Sequence, residues 1–153
     1  MVKRSILVTF TLLILSLTLT GCSSDSELSE EDKVRATLAA IEEAAEKRSL
    51  SGMTEHVSES YQDYEGNDFK RIKSILQLQI LKNQNINIFS KIRELNIAGS
   101  TATVELSVAI ASTGIDLSSE ANRLRADTHR FSVVLNSLDG QWKIKSLSWQ
   151  RGW

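Results

Sequence analysis

The 153-residue sequence predicts an α+β domain, with N-terminal helices packed on one face of an antiparallel sheet of about four strands. Three observations carry this. Apolar residues recur at helical spacing in two stretches of the first half, around 29–48 and 67–83. Residues 101–111 alternate apolar and polar without a break, the mark of a strand with one buried face. Near the C-terminus Asp139-Gly140 separates two strand-like runs, a strong signal for a tight hairpin.

Taken in order, the first helix starts at Ser29, whose hydroxyl can accept from a free backbone N–H, and Glu30, Glu31 and Asp32 suit the positive end of the helix dipole. Val34, Leu38, Ile41 and Ala45 form its apolar stripe, and it should stop near Arg48. A second, short helix is expected over 51–59, burying Met53 and Val57. The link 61–68 is polar and turn-rich, with Gly66-Asn67 as punctuation. A third helix starts at Asn67 or Asp68 and runs to about Asn83 on the stripe Phe69, Ile72, Leu76 and Ile80, widened by Ile75.

From Asn85 the period changes. Ile86, Ile88 and Ile92 alternate with polar neighbours, whereas Leu95 and Ile97 fall in the other register, so 86–97 reads as a long strand with a bulge near 89–93. Ala98-Gly99-Ser100 is a hairpin turn, followed by the strand 101–111, whose inward residues are Ala102, Val104, Leu106, Val108 and Ile110. The polar stretch 112–126 reads as a long loop or an irregular edge excursion. Residues 128–138 form a strand with Phe131, Val133 and Leu135 on one face. The last strand, 141–150, puts Trp142 and Ile144 inward. Leu147 and Trp149 are out of register with them, so either a bulge intervenes or the outer face is also covered.

Ahead of the domain lies a different kind of segment. Lys3 and Arg4 precede residues 6–19, of which ten are apolar and four are Ser or Thr, and polar sequence follows at once. That is the layout of a secretory leader, and it is short of the roughly 20 apolar residues a spanning helix needs. Leu19-Thr20-Gly21-Cys22 resembles the lipobox of bacterial lipoproteins, and the only cysteine of the chain stands where the lipid would go. The resemblance implies diacylglyceryl transfer to the Cys22 thiol, cleavage between Gly21 and Cys22, and acylation of the new N-terminus by a palmitate-like chain. Residues 1–21 would be the signal peptide, 22–28 a lipidated tether and 29–153 the domain. Ser23 after the cysteine implies outer-membrane sorting, facing the periplasm, if the host is Gram-negative.

The charge balance excludes other classes. With 18 Lys+Arg against 19 Asp+Glu, the chain lacks the basic excess of a nucleic-acid binder. One cysteine makes no internal disulfide, and two histidines about 70 residues apart make no metal site. No Gly-rich phosphate loop and no Gly-x-Ser-x-Gly elbow occurs, and no cofactor is expected. Charge is uneven: 23–68 carries 13 acidic and 4 basic residues, while 123–153 carries 2 and 6. Either the two ends pack together or the surface is polarised toward a charged partner.

The order of elements, with Met53-Thr54-Glu55-His56-Val57, Tyr61-Gln62-Asp63-Tyr64 and the closing Asp139-Gly140-Gln141-Trp142-Lys143-Ile144, resembles the nuclear transport factor 2-like (SnoaL-like, cystatin-like) α+β cone. That superfamily includes ketosteroid isomerase and polyketide cyclases. It implies a curved sheet and helices around a pocket, with an Asp or His base and a Tyr or protonated acid as donor in its enzymes. No such role can be placed on this chain residue by residue.

The candidates are therefore weighed singly. Asp63, His56 and Tyr61 could serve as pocket acid–base groups, but no catalytic role is assigned. Asp63 reads as a solvated turn residue whose removal costs little, Tyr61 and Tyr64 as packing residues with the ring in and the hydroxyl out, and His56 as a helix-end residue. His129, near Asp127, reads as a cross-strand polar contact. Trp149, Trp153 and Arg151 combine aromatic and guanidinium groups in the manner of interface anchors and are the candidate ligand- or partner-binding residues. The Thr/Ser face of 101–111 suits a homodimer through the outer sheet. The balance favours an envelope lipoprotein that binds a small apolar ligand or a protein partner. The alternative is a small isomerase- or cyclase-type enzyme.

Overall fold

The computed structural model describes residues 28–114 and 124–152. The leader, Gly21, Cys22, most of the tether and Trp153 lie outside the described residues. Three helices, α1 (Glu30–Glu46), α2 (Leu50–Thr54) and α3 (Phe69–Lys82), precede four strands, β1 (Asn83–Ala98), β2 (Thr101–Gly114), β3 (Leu124–Leu138) and β4 (Gln141–Arg151). The strands pair antiparallel in the order β1-β2-β3-β4, a curved meander with the helices on one face.

The helix starts follow local chemistry. Ser29 accepts from the Asp32 N–H at 3.1 Å and donates to the Asp32 carboxylate at 2.6 Å, a reciprocal cap. Asp68 caps α3 through the Arg71 N–H at 2.8 Å. The second helix is shorter than the expected 51–59, because 56–62 is claimed by β4. The Ser58 N–H donates to the Ile144 carbonyl, the Ile144 N–H to the His56 carbonyl, and the Gln62 N–H to the Lys145 carbonyl. Backbone groups committed to a strand cannot also close helical turns.

Both register changes in the sequence are bulges. In β1 the pairing jumps between Ile92↔Leu106 and Glu94↔Glu105, leaving Arg93 unpaired and turning Leu95 and Ile97 inward. In β4 it jumps between Leu135↔Ile144 and Val134↔Ser146, leaving Lys145 unpaired and turning Leu147 inward. Each extra residue bends its strand and deepens the twist of the sheet. The 112–126 loop is a correction: β2 and β3 continue as a ladder to Thr113↔Leu124, and only 115–123 falls outside the described residues. The Asp139-Gly140 turn has φ of 50° and 77°, the two positive values of a type I′ hairpin.

The core is built from Val34 of α1, Val57 and Tyr61 of the link, Ile72 of α3 and the inner sheet residues Ala102, Val104, Val133, Leu135, Trp142 and Ile144. Among the described residues the core and the side chains packed on it run from Val34 to Leu147, inside the span 28–153. Side-chain tethers lock α1 down at both ends. The Trp142 indole N–H donates to Glu30 at 2.8 Å, and Glu46 accepts the N–H of Ile88 on the edge strand β1 at 2.8 Å.

Candidate functional site

Between α1 and the inner sheet face the core does not close. A cavity of about 260 Å³ remains, walled by side chains such as Leu38, Ile41, Leu106, Val108, Phe131 and Leu147. The polar groups in its wall are already occupied. Ser90 donates its hydroxyl to Glu42, and the Tyr61 hydroxyl donates to Asp63 at 3.2 Å. The interior therefore presents an apolar surface with no free donor, the setting for an apolar body rather than a charged one.

A second hollow of about 460 Å³ shares Ala45, Met53, Leu76, Ile88 and Ile110 with the first and forms its mouth. It is still largely apolar but adds the polar side chains of Asp127, His129 and Arg151. Register explains why they meet. Val108 and Ile110 face the cavity, and their β3 partners are His129 and Asp127, while His129 in turn pairs with Arg151 of β4. Arg151 lies 3.4 Å from the Asp127 carboxylate, and the His129 ring packs against Phe131 with centroids 5.9 Å apart. The His129 Nδ1 is buried and has no hydrogen-bond partner. An unsatisfied buried nitrogen costs about 1–3 kcal/mol.

The sequence candidates divide sharply. Asp63 is buried, not solvated, and it is no free base. Its carboxylate accepts from the backbone N–H groups of Glu65 and Asn67, the Asn67 side-chain amide and the Tyr61 hydroxyl. Burial pushes its pKa up, but the bonds from Asn67, Tyr61 and Glu65 outweigh that and hold it below the usual carboxylate value. Burial, and then the neighbouring Asp63 charge, push the Tyr61 hydroxyl above its usual value, so it stays protonated. The pair clamps the link.

His56 lies outside the cavity, in a surface hollow beside Trp142 and Lys143, with Glu55 at 3.5 Å. Tyr64 is exposed rather than packed ring-in, and it meets Trp149 edge-on at 6.3 Å. Trp149 pairs with Phe131 and Arg151 with His129, so both stand on the cavity side of β4, and Arg151 lines the mouth. A signal for His129 and Asp127 was available. The alternation that turns Phe131, Val133 and Leu135 inward, continued toward the N-terminus, turns them inward too. Among the described residues no cluster of three His, Cys, Asp or Glu is placed to hold a metal ion.

The architecture matches solved structures over most of its length. A proposed dehydratase of the nuclear transport factor 2-like family from Streptomyces avermitilis superposes with a TM-score of 0.69 at 16% identity, covering 80% of this chain and 97% of that one. The fold is nuclear transport factor 2-like. A proposed scytalone dehydratase from Novosphingobium aromaticivorans gives 0.72 at 11% identity, over 81% and 85% of the two chains. A nuclear transport factor 2-like superfamily protein from Salmonella enterica serovar Typhimurium gives 0.67 at 11%, over 80% and 91%. No family model and no curated protein matches the sequence. The nuclear transport factor 2-like fold hosts many unrelated activities, so function has to be argued from the cavity and its mouth.

Proposed function

We propose that the chain is an envelope lipoprotein, acylated at Cys22, whose nuclear transport factor 2-like domain binds a small amphipathic ligand. The apolar part of the ligand fills the cavity, and its polar end sits at the mouth against His129 and Arg151. The observation that carries this is the contrast between a wall whose polar groups are all engaged and a mouth with an unpaired buried nitrogen. Acylation rests on Leu19-Thr20-Gly21-Cys22 after a short apolar leader, and so does an outer-membrane, periplasm-facing location in a Gram-negative host.

The test is mass spectrometry of the protein extracted from its own envelope, under native and then denaturing conditions. The expected result is an N-terminal Cys22 carrying acyl chains, and a small molecule that co-purifies with the native domain. Ile41→Trp, which fills the cavity from α1, should lose the small molecule and keep the acyl mass. An unprocessed N-terminus would refute the lipoprotein reading; equal retention of the small molecule by the variant would refute the cavity reading.

A second reading, an acid–base enzyme of the same pocket, is favoured by His129 alone. It lies beside the apolar cavity with one ring nitrogen free, whereas Asp63 and His56 do not point into it. Turnover of a co-purifying ligand that stops on His129→Gln with binding intact would favour that reading.

A further inference from the structure

Helix α3 carries a surface that neither the core nor the cavity uses. At about 3.6 residues per turn its inward stripe is Phe69, Ile72, Leu76 and Ile80. The opposite face presents Lys70, Ser74, Leu78 and Leu81, with Arg71 and Lys82 along one edge. Leu78 and Leu81 are 48% and 61% exposed, two of the few large apolar side chains left in water among the described residues. The helix has four cations, Lys70, Arg71, Lys73 and Lys82, and no acidic residue. A fifth cation adjoins its C-terminus, where the Arg48 guanidinium donates to the Ile80 carbonyl at 2.9 Å. The nearby acids are partly accounted for: Asp68 is taken up in capping, and Glu55 and Glu59 share a hollow with Lys73 at the other flank.

Exposed leucines on a helix face that carries Lys and Arg at both ends are the chemistry of a helix lying in the interface of an anionic bilayer. The cations meet lipid phosphates, and the leucines enter the acyl boundary. A protein partner would need an acidic surface with a matching apolar groove. A second copy meeting this face through its own α3 would bring only like charges. We therefore propose that the outer face of α3 docks the domain onto an anionic lipid surface, with Leu78 and Leu81 inserted. Gln79, Ile80 and Lys82 of the same helix line the cavity mouth, so docking holds that mouth beside the lipid interface. The biological setting rests on the proposed envelope location, but the contact itself does not depend on acylation.

The fragment spanning 28–153, which lacks Cys22, is floated with vesicles of phosphatidylglycerol mixed with phosphatidylcholine and with vesicles of phosphatidylcholine alone. The expected result is binding to the anionic vesicles only, weakened by salt. Leu78→Ser with Leu81→Ser, and separately Lys70→Glu with Arg71→Glu, should each lower the bound fraction roughly tenfold or more. The far-UV circular dichroism and Tm of both variants should match the parent, since all four side chains are exposed. Absence of vesicle binding by the parent would overturn the proposal, as would variants that bind equally well. So would parent self-association that the leucine variants abolish without any lipid binding, a result assigning the face to a second copy. Because the fragment carries no lipid, a failure here leaves the acylation result at Cys22 standing, and the reverse also holds.

Discussion

Asp63 shows how a single side chain can look catalytic and be structural. Four donors converge on its carboxylate, and its depressed pKa reports how strongly the folded link prefers the ionised form. The linkage has a definite sign. The contribution is complete above the unfolded carboxyl pKa of about 4 and fades as the pH falls through the lower folded value. Asp63→Asn should therefore lower stability at neutral pH by about 1–3 kcal/mol. It should also flatten the loss of Tm on acidification, as read by thermal melts between neutral and acidic pH. A variant that melts with the parent at every pH would sink this account. Tyr61 acts at the other end of the scale: its raised folded pKa means that stability is lost as the pH climbs past about 10. Neither role was legible in the sequence. A Tyr-x-Asp-Tyr link gives no sign that the loop folds back so that Asn67 closes on Asp63.

At the scale of elements, capping and periodicity were readable and reach was not. Ser29 and Asp68 start their helices as the residues dictate, and both breaks in strand alternation mark real bulges, at Arg93 and Lys145. The strands running past 111 and back from 128 were hidden because their residues are polar. Polar sequence reads as loop, but here that end of the sheet faces the end of α3 across an open hollow. Its inner face lines a mouth instead of a core, so Asp127 and His129 are strand residues facing that hollow. The contact between α1 and α2 gives a sharper test. A Cβ on Gly52 would sit 3.0 Å from the Ala44 Cβ and 3.1 Å from the Ser49 hydroxyl, with Ala44 itself buried. Gly52→Val should cost about 1–3 kcal/mol in chemical denaturation, since neither helix can retreat without disturbing the core. Unchanged stability would mean that the two helices are free to slide.

For the whole molecule, no other element covers the outer face of the sheet among the described residues. Phe89 on β1 is 68% exposed and lies in a cross-strand row with the small residues Ala109 and Thr128. We propose that two copies meet there, the phenyl ring of one over the small-residue row of the other. Sedimentation equilibrium should give a dimer, and Phe89→Glu should give a monomer with unchanged secondary structure. A parent that sediments as a monomer would show that the face stays in water. This surface and the α3 surface lie on different sides of the sheet, so a dimer could present both copies of α3 outward at once.

The unpaired Lys145 carries one more implication. Side chains before and after it point into the hollow only because that residue is skipped by the ladder, yet its own side chain contributes nothing to the lining. Excising it would keep Trp142, Ile144 and Leu147 facing inward while letting β4 straighten. The width of the cavity is thus tied to one extra residue in β4, whose carbonyl also holds the link through the Gln62 N–H.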